Sequence, residues 1–476
     1  MTIDRRTFIG RGLAAAAAAG AASRASAAET ALTPEMFGAK GDGVTNDTRA
    51  FAALSARVNE QGGGRIVLRK ATYIVGSTTA MMARSGGGPV PIEILRFVRC
   101  SRPVTIEGNG AVLRCQPGLR FGTFDLATGA PVQHKMPYYN IQDRFSAYQY
   151  MIHAAECSGA VTIQDLELDG NLPKLRIGGT FGDTGWQIAG SGIFLVDNRG
   201  DEIVRNVYSH HHGQDGIMID GLDQPVRAGT VVRRIDDFRS EYNGRQGCSL
   251  IGGRGYAFTR CKFNHTGKGG LYSAPGAGVD IEAEGHKSNR DYSFTDCEFV
   301  DNTGVGMLAD SGPSQGAEFS RCRFVGTTTW SLWPAKPGFT FRSCTIVGAM
   351  VRPALVTDRR LATTFIDCTF LDDPAKSPTG KVYLPSGTQG PIADLNETGN
   401  PVFEKCRFLL THNAQLPWSI KATYRDCVMS QASTLIAYPR GRYEGRTTIR
   451  GNVDLYGSDV VGTVVLNGKT IGAGQG

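Results

Sequence analysis

Three carboxylates occupy alternate positions of one short run: Asp280, Glu282 and Glu284, separated by Ile281 and Ala283. A β-strand sends successive side chains to opposite faces. With Val279, Ile281 and Ala283 turned inward, the three acids point outward together. Charges of one sign so placed repel, and the row is costly unless a cation, an arginine or a shared proton relieves it. Cleavage of a glycosidic bond uses such a pair. One carboxyl keeps a proton for the leaving oxygen, and the other is ionised as base or nucleophile. Strand rise separates Asp280 and Glu282 by about 6.6–7 Å, nearer the inverting than the retaining spacing. A lyase would use the same groups differently, with a cation on a uronate and an arginine, lysine, histidine or tyrosine as base.

The run belongs to a repeat. Residues 207–221 match residues 238–252 at an offset of 31, a further 31 brings in 278–282, and 28 more brings in 306–310. On the upstream side 192–195 fits the same frame. In this alignment Met218 and Ser249 share the slot of Asp280, while Asp220 and Ile251 share that of Glu282. Successive coils lie about 4.8 Å apart, so Arg245, Asp220, Asp280 and Glu282 are expected to converge. Arg245 would clamp substrate or charge, and Asp215 or Asp220 would be an auxiliary carboxylate; Asp215, just before Gly216, also suits a turn. His211, His212, Tyr242 and Asn243, in the turns before the strip, are expected substrate contacts, as are Glu284 and His286. His265 is a weaker candidate, and Trp186 and Tyr272 are candidates for stacking on sugar rings. Neighbouring residues of a strand face opposite ways, so His210, His211 and His212 cannot all hold one ion without an irregular turn. No metal site is expected from them.

The elements that position these groups are legible in the cysteines. Seven of the eleven fall in one frame, apolar-x-x-Cys-x-apolar: Phe258/Cys261/Phe263, Phe294/Cys297/Phe299, Phe319/Cys322/Phe324, Phe341/Cys344/Ile346, Phe365/Cys368/Phe370, Phe403/Cys406/Phe408 and Tyr424/Cys427/Met429. Successive cysteines lie 36, 25, 22, 24, 38 and 21 residues apart. Ile163/Leu166/Leu168 fits with leucine in the cysteine slot. A self-similar unit of this length with β-type alternation means a solenoid in which like side chains stack. Cysteine acts there as a small hydrophobe. No paired Cys-x-x-Cys spacing suggests a metal.

The segment 37–48, with Gly38, Gly41 and Gly43 and an Asn46-Asp47-Thr48 cap, precedes an expected helix over 49–60 and strands at 65–68 and 72–75. This resembles the N-terminal start of the pectate-lyase-like superfamily, and the coil repeats extend the resemblance over most of the chain. It implies an all-β fold: a single-stranded right-handed parallel β-helix over 28–476, with a short N-terminal helix in a cap over about 33–75 and far-end strands over 447–476. Residues 79–92 and 120–150 read as projecting loops. Gln214-Asp215-Gly216 and His212-Gly213 resemble fragments of the polygalacturonase pattern, whose paired aspartates and Arg-Ile-Lys motif are absent. Asp280-Ile281-Glu282 is loosely similar to the Asp-Pro-His-Glu segment of mannuronan epimerases, without its proline or histidine.

Arg5-Arg6, an alanine-rich stretch over 13–22 and Ala25-Ser26-Ala27 have the form of a twin-arginine export signal over 1–27, too short in its apolar part to span a bilayer. A periplasmic or secreted protein without a membrane anchor is expected. The formal charge of +7, of which +3 lies in the signal, and the lack of basic runs argue against nucleic acid as partner. The expected partner is a polysaccharide, and the expected reaction is glycoside hydrolysis without cofactor. The alternatives are a lyase or C5-epimerase on an acidic glycan, with Ca2+ held by the three acids, or a non-catalytic glycan-binding β-helix. A monomer or a side-by-side homotrimer is expected.

Overall fold

The phenylalanine–cysteine frame closes into coils of three short strands. In one coil, Glu202–His210 bends at Asn206, whose φ is +50°, and a short turn leads to Asp215–Asp220. In the next coil Arg233–Asp236, Arg239–Glu241 and Gln246–Arg254 repeat the course. Each strand pairs in parallel with its equivalents one coil away, Glu202 opposite Arg233, Tyr208 opposite Arg239 and Asp215 opposite Gln246. A chain that always returns to a parallel neighbour winds with the right-handed crossover that strand twist favours. The result is a right-handed parallel β-helix. The computed structural model describes residues 30–81, 91–132, 144–179, 188–223, 230–385, 387, 389–395 and 399–472, and Ala31–Gly476 forms one compact unit. The expected export signal, residues 82–90 and 133–143 of the segments expected as loops, and Trp186 lie outside the described residues.

The bend before each cysteine of the frame, and before Leu166, Val207 and Phe238 in the same slot, is a single left-handed residue. Asp165, Asn206, Asp237, Arg260, Asp296, Arg321, Ser343, Asp367, Lys405 and Asp426 all have φ between +50° and +58°. Asn and Asp tolerate this conformation, which explains their frequency in the file. Two residues before the bend the aromatic rings stack coil on coil. Phe258, Phe294, Phe319, Phe341 and Phe365 follow one another at centroid distances of 4.5, 4.7, 4.9 and 4.7 Å.

The cysteines are free and buried, and they do more than fill space. Cys322, Cys344, Cys368, Cys406 and Cys427 each donate to the carbonyl of the phenylalanine one coil earlier, at 3.3–3.4 Å. The slot therefore selects a small apolar group with a weak donor. Phe341→Ala removes a ring packed on both sides, and a loss of about 3–5 kcal/mol is expected in denaturant melts. A loss below about 1 kcal/mol would mean that the ladder is not a stabilising spine.

The helix Thr48–Glu60 buries Phe51, Leu54 and Val58 at the N-terminal end, as expected. At the other end Thr463–Leu466 and Lys469–Ile471 form an antiparallel hairpin. The segments expected as plain loops contain Thr79–Met81, Arg120–Thr123 and Arg144–Ser146, which join Arg176–Gly178 in a small separate sheet. Phe121 anchors it, packing with Leu172, Ile188 and Leu271 in an apolar cluster too short in sequence to show a period. No helix among the described residues is long and apolar enough to cross a membrane.

Candidate functional site

One face of the solenoid is built from Tyr150–Ala155, Ser191–Val196, Asp215–Asp220, Gln246–Arg254, Val279–Ile281 and Met307–Ala309. Its register is the one the repeat predicts: Phe194, Met218, Ser249, Asp280 and Leu308 form one outward file. The inward neighbours Ile217, Cys248 and Val279 are fully buried.

Asp280 faces outward yet is only 4% exposed. Its Oδ2 accepts from Gln246 Nε2 at 2.7 Å, and its Oδ1 is buried without a hydrogen-bond partner among the described residues. Burial, and then the charge of Glu282, push its carboxyl up to about 8 against the pull of Gln246 and Arg245. Asp280 is therefore a neutral acid at pH 7, able to donate a proton. Glu282 is partly exposed and accepts from the Ser311 hydroxyl. Glu284 and His286 stand exposed just beyond it.

Asp215 is fully buried as the first residue of its strand, not a turn residue. Arg245 grips both its oxygens, Nε to Oδ1 at 2.8 Å and Nη2 to Oδ2, and Ser249 Oγ donates to Oδ2 at 2.9 Å. Burial works against the guanidinium charge, but Asp215, together with the more distant Asp280 and Glu284, outweighs it and keeps Arg245 cationic. Arg245, Asp215 and Ser249 thus form one hydrogen-bonded group and Gln246 with Asp280 another, side by side on neighbouring coils. Ser249 and Gln246 were not singled out in the sequence, although the 31-residue offset places Gln246 in the slot of Asp215 and Ser249 in that of Asp280.

Asp220 is displaced from the position expected of it. A bulge after Ile219 sets it opposite Gly252 rather than Ile251. Its carboxylate binds Lys287 Nζ at 2.6 Å, and the same ammonium binds Asp197 at 2.7 Å. The expected convergence with Asp280 and Glu282 gives way to a carboxylate–ammonium–carboxylate clamp, in which Asp220 is already neutralised.

His212 and Asn243 are also placed differently from the substrate contacts expected of them. Both are fully buried. Ser209 Oγ donates to Gly216 O at 2.8 Å and so accepts from His212 Nε2 at 3.0 Å, leaving Nδ1 to accept from Tyr148 Oη at 2.7 Å. Burial holds this imidazole well below the ordinary histidine range. Asn243 accepts from the His212 backbone N–H at 3.0 Å and donates to Ser240 Oγ at 2.9 Å. These side chains pin the turns from inside. The reason is the left-handed residue before each, His211 at φ +53° and Tyr242 at +59°, which turns the next side chain inward. His211 and Tyr242 are left partly exposed, stacked on each other at 5.1 Å and continued by His265 at 4.8 Å. Tyr272 is 40% exposed.

No family model matches the chain. A capsule KN3-specific depolymerase of Klebsiella phage KN3-1 is 51% identical over 43 residues, which are 9% of this chain and 5% of the phage protein's length. Among solved structures, the A-module of mannuronan C-5 epimerase AlgE4 from Azotobacter vinelandii aligns over 91% of this chain and 99% of its own, at 15% identity and a TM-score of 0.42. The tailspike protein gp49 of Pseudomonas phage LKA1 aligns over 92% of this chain and 80% of its own, at 12% identity and a TM-score of 0.43. The N-terminal fragment of bacteriophage Phi29 gene product 12 aligns over 92% and 73%, at 13% identity and a TM-score of 0.47.

Proposed function

We propose that this chain cleaves a polysaccharide by glycoside hydrolysis, on the strip around Asp280 and Glu282. The observation that carries the proposal is the Asp280 carboxyl, buried and held protonated to about pH 8 beside a second, more accessible carboxyl group. Asp280 would protonate the leaving oxygen, and Glu282 would activate water or attack the anomeric carbon. Arg245, oriented by Asp215, would bias the strip toward electron-rich or anionic sugar substituents, and Glu284 and His286 would line the approach. The short stretch shared with the phage capsule depolymerase supports a polysaccharide as substrate. A polymer outside the cytoplasm fits the export signal expected from the sequence of residues 1–27.

Arg245, locked bidentate on Asp215, is not available as the base of a β-elimination, and this weighs toward hydrolysis. The test is a panel of neutral and acidic polysaccharides, with and without chelator, read for reducing ends and for the ultraviolet absorbance of unsaturated sugars in the same wells. New reducing ends without unsaturation are expected. Unsaturated product would assign a lyase, and binding without product would assign a glycan-binding protein. Glu282→Gln is expected to lower kcat by about 10²–10⁴-fold on the responding polymer with little change in KM. Full activity in that variant would remove Glu282 from the chemistry.

A further inference from the structure

On a different face of the coil, Asp169, His210 and His211 bring one ligand atom each within 4.8 Å of the others. The register sets Asp169 directly beside His210 on adjacent coils. His211 joins them because its left-handed backbone breaks the strand alternation, the irregular turn that a two-histidine site in consecutive residues requires. His210 Nδ1 and His211 Nδ1 face each other at 2.7 Å, and Asp169 Oδ1 lies 3.8 Å from His210 Nδ1. His212 points into the core and takes no part.

We propose that these three residues bind one divalent transition-metal ion of the zinc type, a site separate from the Asp280 strip. Two imidazole nitrogens and a carboxylate suit Zn2+, whereas Ca2+ and Mg2+ take oxygen ligands. The surroundings orient the ligands as metal sites require. Glu167 Oε1 lies 3.3 Å from His210 Nε2 and accepts from its N–H, which leaves the Nδ1 lone pair facing the cluster. Arg114 holds Asp169 Oδ2 at 2.7 Å, and the Asn171 N–H bonds Oδ1 at 2.7 Å, which fixes the carboxylate while a second lone pair of Oδ1 remains. Tetrahedral Zn2+ with bonds of about 2.0–2.1 Å separates its nitrogens by about 3.3 Å. The partly exposed His211 ring must therefore shift slightly over Tyr242 to admit the ion. Three protein ligands leave a fourth position open to water or to an anionic group of a ligand. The ion would tie two coils together at the turn that leads into Asp215.

The test uses the full chain, purified without a polyhistidine tag and stripped with chelator, titrated calorimetrically with Zn2+ and spectroscopically with Co2+. One equivalent is expected, with the visible ligand-field bands of four-coordinate Co2+ and a raised Tm. His211→Asn, chosen because asparagine keeps the left-handed backbone, is expected to lower affinity at least a hundredfold while folding normally. Glu167→Gln is expected to weaken binding by about 10–100-fold. His412→Ala, at an exposed histidine elsewhere, is expected to bind as the parent does. No binding by the parent protein, or equal binding by His211→Asn, would overturn the proposal.

Discussion

Asp280→Asn is expected to lower kcat by about 10²–10⁴-fold and, at the same time, to stabilise the protein at alkaline pH. Asparagine keeps an oxygen to accept from Gln246 but has no proton to give. The stability effect follows from linkage. The carboxyl titrates at about 8 in the folded chain and near its ordinary 3.8 when unfolded. Between those values the folded state holds a proton that the unfolded state has lost, so stability falls as pH rises from about 4 to about 8 and levels off above. The full difference is on the order of 5 kcal/mol for this fully buried group. Melting curves of the parent and Asp280→Asn should therefore nearly coincide at pH 4 and diverge by pH 8, with the variant higher. Parallel curves across that range would show that Asp280 is an ordinary ionised aspartate.

Arg245→Ala is the second large effect. Asp215 has no exposure, and its charge is balanced by the guanidinium that grips both oxygens. Removing Arg245 alone leaves a buried carboxylate without its counter-charge, and a loss of about 3–5 kcal/mol is expected. Replacing both partners by apolar residues, Asp215→Leu with Arg245→Met, should cost far less, since a buried pair gains little over a well-packed apolar isostere. Denaturant unfolding of Asp215→Leu, Arg245→Met and the double variant measures the coupling. Equal losses in Arg245→Ala and in the double variant would mean that the pair is solvated and only weakly coupled. Activity separates the roles further. If the double variant folds but its kcat collapses, the pair positions substrate as well as the strand.

The coil repeat was written in the sequence because one interior slot has one size. The cysteine frame and the 31-residue offset both correspond to observed parallel registers, from Phe258 beside Phe294 to Ser249 beside Asp280. Asp280 and Glu282 were legible as an outward pair for the same reason. What escaped was set by single residues that break the alternation. The bulge after Ile219 moved Asp220 to Lys287, and nothing in the spacing marks it. The left-handed residues His211 and Tyr242 turned His212 and Asn243 into the core and brought His210 and His211 together. The small sheet around Phe121 draws its strands from segments about 20–40 residues apart, so no local period announced it. The protonation of Asp280 depends on how deeply it is buried, which alternation alone does not report.

That protonation is the foundation of the proposed chemistry, and infrared difference spectroscopy reads it without knowledge of the substrate. Spectra of the parent minus Asp280→Asn, recorded from pH 5 to pH 9, isolate the carboxyl of this one residue. The mechanism predicts the C=O stretch of a neutral carboxylic acid at pH 7, giving way to carboxylate only near pH 8. A band already lost at pH 5 would contradict it, since Asp280 would then have no proton to donate at neutral pH.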